Sequence, residues 1–238
     1  MTGNSRLVDY DAFRRGGCVA AIAGLAAIAT LWPPRFAFAW GTDDQVMADE
    51  LAQMLDIKPG RTVVDIGAGH GEMAMLMAKK VGPTGRVFAT EIDPARIEEI
   101  RKRIHDTGLA NLTVVRATPT DSGLPADCCD AAYMIGVYHH LTDPAATDAS
   151  IFRALKPGAR LLINDFPPTI WLALFKVKGV PSNRGGHGVP DDIAVNEITA
   201  AGFREVKETR PWHPGFFIRD NYCLVFSKPQ DSTTAAQK

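Results

Sequence analysis

The chain has 238 residues, of which 46% are hydrophobic and 22% charged; 26 basic and 27 acidic side chains give a formal net charge of -1. That length and apolar content allow one sizeable domain with a buried core. They exclude collagen, a coiled coil and a disordered tail protein, and the balanced charge excludes a nucleic-acid partner held by a basic face.

Residues 1–17 are polar and carry Arg14-Arg15; Cys18 to Trp32 is then apolar and uncharged, and Pro33-Pro34-Arg35 and Ala37-Phe38-Ala39 come next. This is the layout of an export signal cleaved after Ala39 or, if uncleaved, of a membrane anchor. The apolar run is shorter than the ~20 residues of a comfortable membrane span. The paired arginines resemble a twin-arginine signal. Either reading places the rest of the chain outside the cytoplasm, exported (periplasmic or extracellular) or membrane-anchored. The expected organisation is 1–39 as this signal or anchor, 40–228 as the domain and 229–238 as a polar tail.

The body alternates strand and helix. Arg61–Ile66 is a β-branched run, as a buried parallel strand requires. Gly67–Gly71 interrupts it, and Glu72–Val81 forms a helix ended by Gly82. Arg86–Glu91 is the second strand. Asp93-Pro94 reads as N-cap and first helical residue, with Ile97, Ile100 and Ile104 on one helical face before Gly108. Leu112–Arg116 and Asp130–Gly136 are strands three and four. Asp143-Pro144 opens a helix expected to run to Leu155 and to stop before Lys156-Pro157-Gly158. Ala159–Asp165 is strand five, Pro190–Ala201 a helix closed by Gly202, and Phe203–Thr209 and Asn221–Ser227 the last strands. No helix separates those two, so one of them is expected to run antiparallel. Strand–helix alternation implies an α/β fold, a parallel sheet with helices on both faces.

The glycine loop Gly67-Ala68-Gly69-His70-Gly71 sits between a strand and a helix, where a ligand can approach the backbone closely. A dinucleotide fingerprint counted from Gly67 fails at Glu72, but counted from Gly69 it is met by Gly71 and Ala74, so spacing leaves a dinucleotide open. Charge separates the candidates. Asp65 precedes the loop and has the wrong sign for a pyrophosphate, whereas it suits a cationic ligand such as S-adenosylmethionine. The loop holds no Lys or Arg for a phosphate. Glu91 closes the second strand, where an acid can accept hydrogen bonds from both ribose hydroxyls of an adenosine cofactor.

With VVDIGAGHGEMA (63–74), VFATEID (87–93), AAYMIGVYHHL (131–141) and RALKPGARLLINDF (153–166) in this order, the sequence resembles the class I S-adenosylmethionine-dependent methyltransferases over about residues 45–228. The resemblance implies a Rossmann-like three-layer sandwich with a mostly parallel seven-stranded sheet of order 3-2-1-4-5-7-6 and an antiparallel last strand. It implies that Asp65, Gly67, Gly69 and Gly71 surround the amino-acid end of the cofactor, that Glu91 holds the ribose and that Ile92 packs on the adenine. The position that in this family commonly carries an acid for the adenine amino group reads Ala117-Thr118-Pro119, so Thr118 is the acceptor there.

Methyl transfer needs nucleophile, methyl and sulfur in line, and an oxygen nucleophile can also need a base. Tyr138, His139 and His140 come after strand four, and His187 lies in a glycine-rich loop; His140, His139 and His187 are the candidate catalytic residues. The alternative role of His140 is to orient a loop or helix end by hydrogen bonding, and that of His187 is a helix-entry turn before Pro190. No metal site is expected: Cys18, Cys128, Cys129 and Cys223 lack metal or disulfide spacing, and Asp165 has no second acid at a fitting spacing. The expected partner is a small, apolar or aromatic methyl acceptor. The apolar stretch Ile170–Val177 suits a pocket wall, a membrane-surface contact or ordinary packing. Two other readings stay open. LDIKPGRTVVDIGAGHGEMA also resembles the isoaspartyl protein methyltransferases. A non-catalytic binding protein on this scaffold would explain export away from the cytoplasmic cofactor supply.

Overall fold

The computed structural model describes residues 36–168, 177–213 and 220–230. The chain divides between Thr42 and Asp43, and the whole sheet belongs to the second unit. In chain order the elements are α1 (Phe36–Met54), β1 (Thr62–Ile66), α2 (Glu72–Val81), β2 (Arg86–Glu91), α3 (Pro94–Thr107), β3 (Leu112–Arg116), β4 (Cys129–Ile135), α4 (Pro144–Ala154), β5 (Leu155–Asp165), α5 (Asp191–Ala200), β6 (Arg204–Thr209) and β7 (Tyr222–Ser227). Short 3-10 turns stand at Tyr138–His140 and Ser182–Arg184.

The sheet has the order β3-β2-β1-β4-β5-β7-β6. Strands β1 to β5 pair in parallel, and β7 runs antiparallel to both β5 and β6. The expected order and the antiparallel last strand are both observed. Side chains alternate across each inner strand, so both faces are buried. On β1, Val63 joins a core with Leu51 of α1 and Met77 of α2, while Val64 and Ile66 join a second core with Ile151 of α4 and Ile198 of α5. This makes three layers, helix–sheet–helix.

Local chemistry sets the helix ends. The Asp93 side chain accepts the Ala95 amide, with Pro94 in the first turn, and Gly108 closes α3 in a left-handed conformation. The Asp143 side chain caps α4 in the same way. Two elements depart from the sequence reading. Strand β5 begins at Leu155, not Ala159, because Leu155 already pairs with Cys129. The register shifts between Cys129 and Ala131, so Lys156-Pro157-Gly158 is absorbed as an irregularity within the strand rather than as a break before it. Helix α1 is the other departure: the sequence reading places no helix there, although Ala48, Leu51 and Leu55 have helical spacing and are buried.

Most of the expected N-terminal signal, residues 1–35, lies outside the described residues, as do all of Ile170–Val177 except Val177, and the tail beyond 230. Residues 36–39 form the first turn of α1. Among the described residues no helix is long and apolar enough to cross a membrane.

Candidate functional site

Parallel strands carry all their C-terminal ends to one edge of the sheet, and loops there form the natural ligand crevice. A cleft of about 700 Å³ opens at that edge. Its walls come from the loop after β1 (Gly67, Gly69), the end of β2 (Glu91, Ile92), the turn after β3 (Ala117, Thr118, Pro119) and the segment after β4 (Val137, His140, Leu141). Cofactor pockets usually have this size and this mostly apolar lining.

The glycine loop is clamped to β2. Ala68 donates its amide to the Thr90 carbonyl at 2.9 Å, and Gly69 donates to Glu91 Oε2 at 3.0 Å. Glu91 Oε1 also accepts from the Ile92 amide at 2.7 Å and the Asp93 amide at 3.1 Å, and Arg96 approaches Oε2 to 3.9 Å. One buried carboxylate therefore fixes both the loop and the turn into α3. Gly67 has φ +71°, and a Cβ there would lie 2.8 Å from Val137 Cγ1; at Gly69, φ +58°, a Cβ would meet nothing within 4 Å. Gly67→Ala is therefore expected to cost about 2–4 kcal/mol from overpacking plus the left-handed backbone, against about 1–2 kcal/mol for Gly69→Ala from the backbone alone. Urea denaturation of both variants checks the difference.

Asp65 does not line the cleft. It lies beneath the glycine loop, 4% exposed, paired in register with Tyr133 of β4. Burial pushes its carboxyl up to about 7; the charge of Glu91 adds to the rise, while the Tyr133 hydroxyl and the Ala74 amide oppose it. Thr118 does reach the cleft, but its Oγ1 accepts the Asp121 amide at 3.0 Å and so closes a tight turn. Ile92 stands 53% exposed in the cleft wall, an apolar face open to a flat ring.

The histidine candidates converge from two segments. His139 is 3% exposed. Its ring centroid lies 4.0 Å from that of His140 and 4.8 Å from that of His187. Asp165, at the end of β5, accepts the His139 amide at 3.0 Å through Oδ2, and its Oδ1 lies 2.8 Å from His139 Nδ1. Phe166 packs on the group, 4.8 Å from the His139 ring. Of the three histidines only His140 lines the cleft. Its partial burial, reinforced by His139 and His187, lowers its pKa below the ordinary imidazole value. Tyr138 points away into the core. Its hydroxyl lies 2.7 Å from Asp148 Oδ2 and 3.1 Å from Glu197 Oε2, and Arg184 covers its ring at 5.3 Å. Sequence reasoning missed Tyr133 as the neighbour of Asp65 and Asp165 as the carboxylate behind His139. The alternation along β1 and β4 points to the first; nothing local points to the second.

The groups present fit S-adenosylmethionine: a glycine cradle with backbone amides, an acid at the end of β2, an exposed apolar side chain beside it, and no Lys or Arg in the loop. The fold is that of the class I S-adenosylmethionine-dependent methyltransferases, and the sequence is similar to members of that class. Residues 64–163 match the family described as methyltransferase domain. The chain is 29% identical over 160 residues to the ubiquinone/menaquinone biosynthesis C-methyltransferase UbiE of Vibrio vulnificus (strain YJ016), covering 66% of this chain and 60% of that protein. It thus spans less than two thirds of the length of that relative. A solved S-adenosylmethionine-dependent methyltransferase from Aquifex aeolicus superposes with TM-score 0.61 at 21% identity, covering 76% of this chain and 89% of that one. The [4+2]-cyclase SpnF superposes with TM-score 0.63 at 15% identity, covering 79% and 82%.

Proposed function

We propose that this protein transfers a methyl group from S-adenosylmethionine to a small, apolar or aromatic acceptor. The observation that carries the reading is the cleft itself. One side offers Glu91, Ile92 and the glycine loop to an adenosine, and the other offers Val137, Leu141 and His140 to a second molecule. S-adenosylmethionine, when bound, supplies a methyl group already activated by a sulfonium. The task left to the protein is positioning and exclusion of water. Glu91 orients the ribose end through the oxygen capacity its backbone partners leave over. The clamped glycine loop fixes the amino-acid end. Val137 and Leu141 give the acceptor an apolar wall, and His140 is the polar side chain presented to it. The likeness to a C-methyltransferase of quinone biosynthesis favours an electron-rich ring carbon as the attacking atom.

Incubating the purified protein with methyl-labelled S-adenosylmethionine and an organic-soluble cell extract is expected to label a small molecule that partitions into organic solvent. Label on polypeptide alone would support the isoaspartyl-type reading instead. Cofactor binding with no label anywhere would support a scaffold with another role, as a cyclase on the same fold illustrates.

A further inference from the structure

We propose that His139, His140 and His187 form a binding site for one divalent transition-metal ion, of the zinc or cobalt type, at the acceptor end of the cleft. Each of the three imidazoles offers a ring nitrogen, and these nitrogens lie within 4.8 Å of one another. His139 carries the decisive geometry. Its Nδ1 faces Asp165 Oδ1 at 2.8 Å, and because a carboxylate can only accept there, Nδ1 holds the proton. The lone pair is therefore on Nε2. That atom is buried and has no hydrogen-bond partner among the described residues. A buried ring nitrogen without a partner is costly, and an ion satisfies it.

A carboxylate behind a ligating imidazole is the arrangement that fixes tautomer and orientation in metal sites. Asp165 is itself held by the His139 and Phe166 amides, so both its oxygens are occupied and it acts behind the ligand rather than as one. Zinc–nitrogen bonds of about 2.0–2.1 Å place tetrahedral ligand atoms about 3.4 Å apart, so the three rings must close slightly around the ion. His187 sits in a loop whose Gly185, Gly186 and Gly188 all have positive φ. Three imidazoles leave a coordination position open, as in zinc sites that do chemistry. His140 belongs to the cleft wall, so that position is the one an oxygen-bearing acceptor can reach. The site assigns His140 to the ion rather than to proton abstraction. Sequence spacing holds no hint of it, because the third histidine comes from a distant loop.

Only the metal's role at the acceptor rests on the methyltransferase reading; the site itself does not. The test uses the untagged full chain, stripped with a chelator and then dialysed against zinc, with cobalt as a spectroscopic probe. Expected is one ion per chain with micromolar or tighter affinity and the visible absorption of cobalt in a low-coordinate nitrogen site. His140→Ala and His187→Ala should each weaken retention about 100-fold, and Asp165→Asn about 10–100-fold. S-adenosylmethionine binding, measured on the same samples, should stay within a few-fold and so report an intact fold. Zinc retention equal to that of a His140→Ala/His187→Ala double variant overturns the proposal. Such a failure leaves cofactor binding untouched, and loss of cofactor binding in the parent protein would instead sink the methyltransferase reading.

Discussion

Glu91→Ala is expected to weaken S-adenosylmethionine binding by about 100-fold or more, while methyl transfer at saturating cofactor falls by less than about tenfold. A charge-assisted hydrogen bond is worth about 1.5–3 kcal/mol, so losing the one bond to a ribose that the three backbone partners leave room for accounts for up to about 100-fold. The variant also frees the amides of Gly69, Ile92 and Asp93, which the carboxylate now holds. The loop then loses its tie to β2, and the free protein must order it on binding, which adds to the loss. Glu91→Gln keeps one carbonyl oxygen and should fall between the two. Calorimetry on the three proteins, with kcat and KM for the cofactor, separates binding from chemistry. A lowered kcat with unchanged affinity would show that Glu91 does not hold the cofactor.

The legible parts of the fold are those whose local chemistry and tertiary role agree. Helix α2 ends where Gly82 stands, and α3 begins and ends where Asp93-Pro94 and Gly108 punctuate it. Each boundary is written within a few residues of itself. The start of strand β5 is not legible, because Lys156-Pro157-Gly158 reads locally as a break, whereas pairing of Leu155 with Cys129 holds it in the sheet. That the loop and Glu91 line one cleft is legible for the same reason as α3: they occupy consecutive strand ends. The placement of Asp65 beneath the loop needs one further step. It shares a face of β1 with Val63, whose side chain packs with α1 and α2, so a period of two turns it inward and away from the cleft. The histidine cluster cannot be read locally. It depends on where the loop carrying His187 returns over the end of β5, and only the assembled sheet determines that.

Asp65 also makes the stability of the domain depend on pH in a direction opposite to that of most carboxylates. An Asp in the unfolded chain titrates near 3.8, whereas burial raises this one to about 7 in the folded domain. Between those values the folded state holds a proton that the unfolded state has released. Stability therefore falls as pH rises through this window; the contribution is fully present below about 4 and lost above about 7. Asp148, fully buried beside the Tyr138 hydroxyl, is likewise raised to about 7 and steepens the same slope. Asp65→Asn keeps a neutral polar group in place, so it should match the parent protein near pH 4 and exceed it at pH 8 by on the order of 4 kcal/mol. Urea denaturation at a series of pH values checks this, with Asp148→Asn as an independent second slope. Cofactor adds a distinguishing readout. Asp65 immediately precedes the glycine loop that lines the cleft, and a bound sulfonium and ammonium would favour the ionised carboxylate. Stabilisation of the parent protein by S-adenosylmethionine should therefore grow from pH 5.5 to pH 8, and in Asp65→Asn it should not. Equal growth in both proteins would place the proton elsewhere and leave Asp65 with no part in recognising the cation.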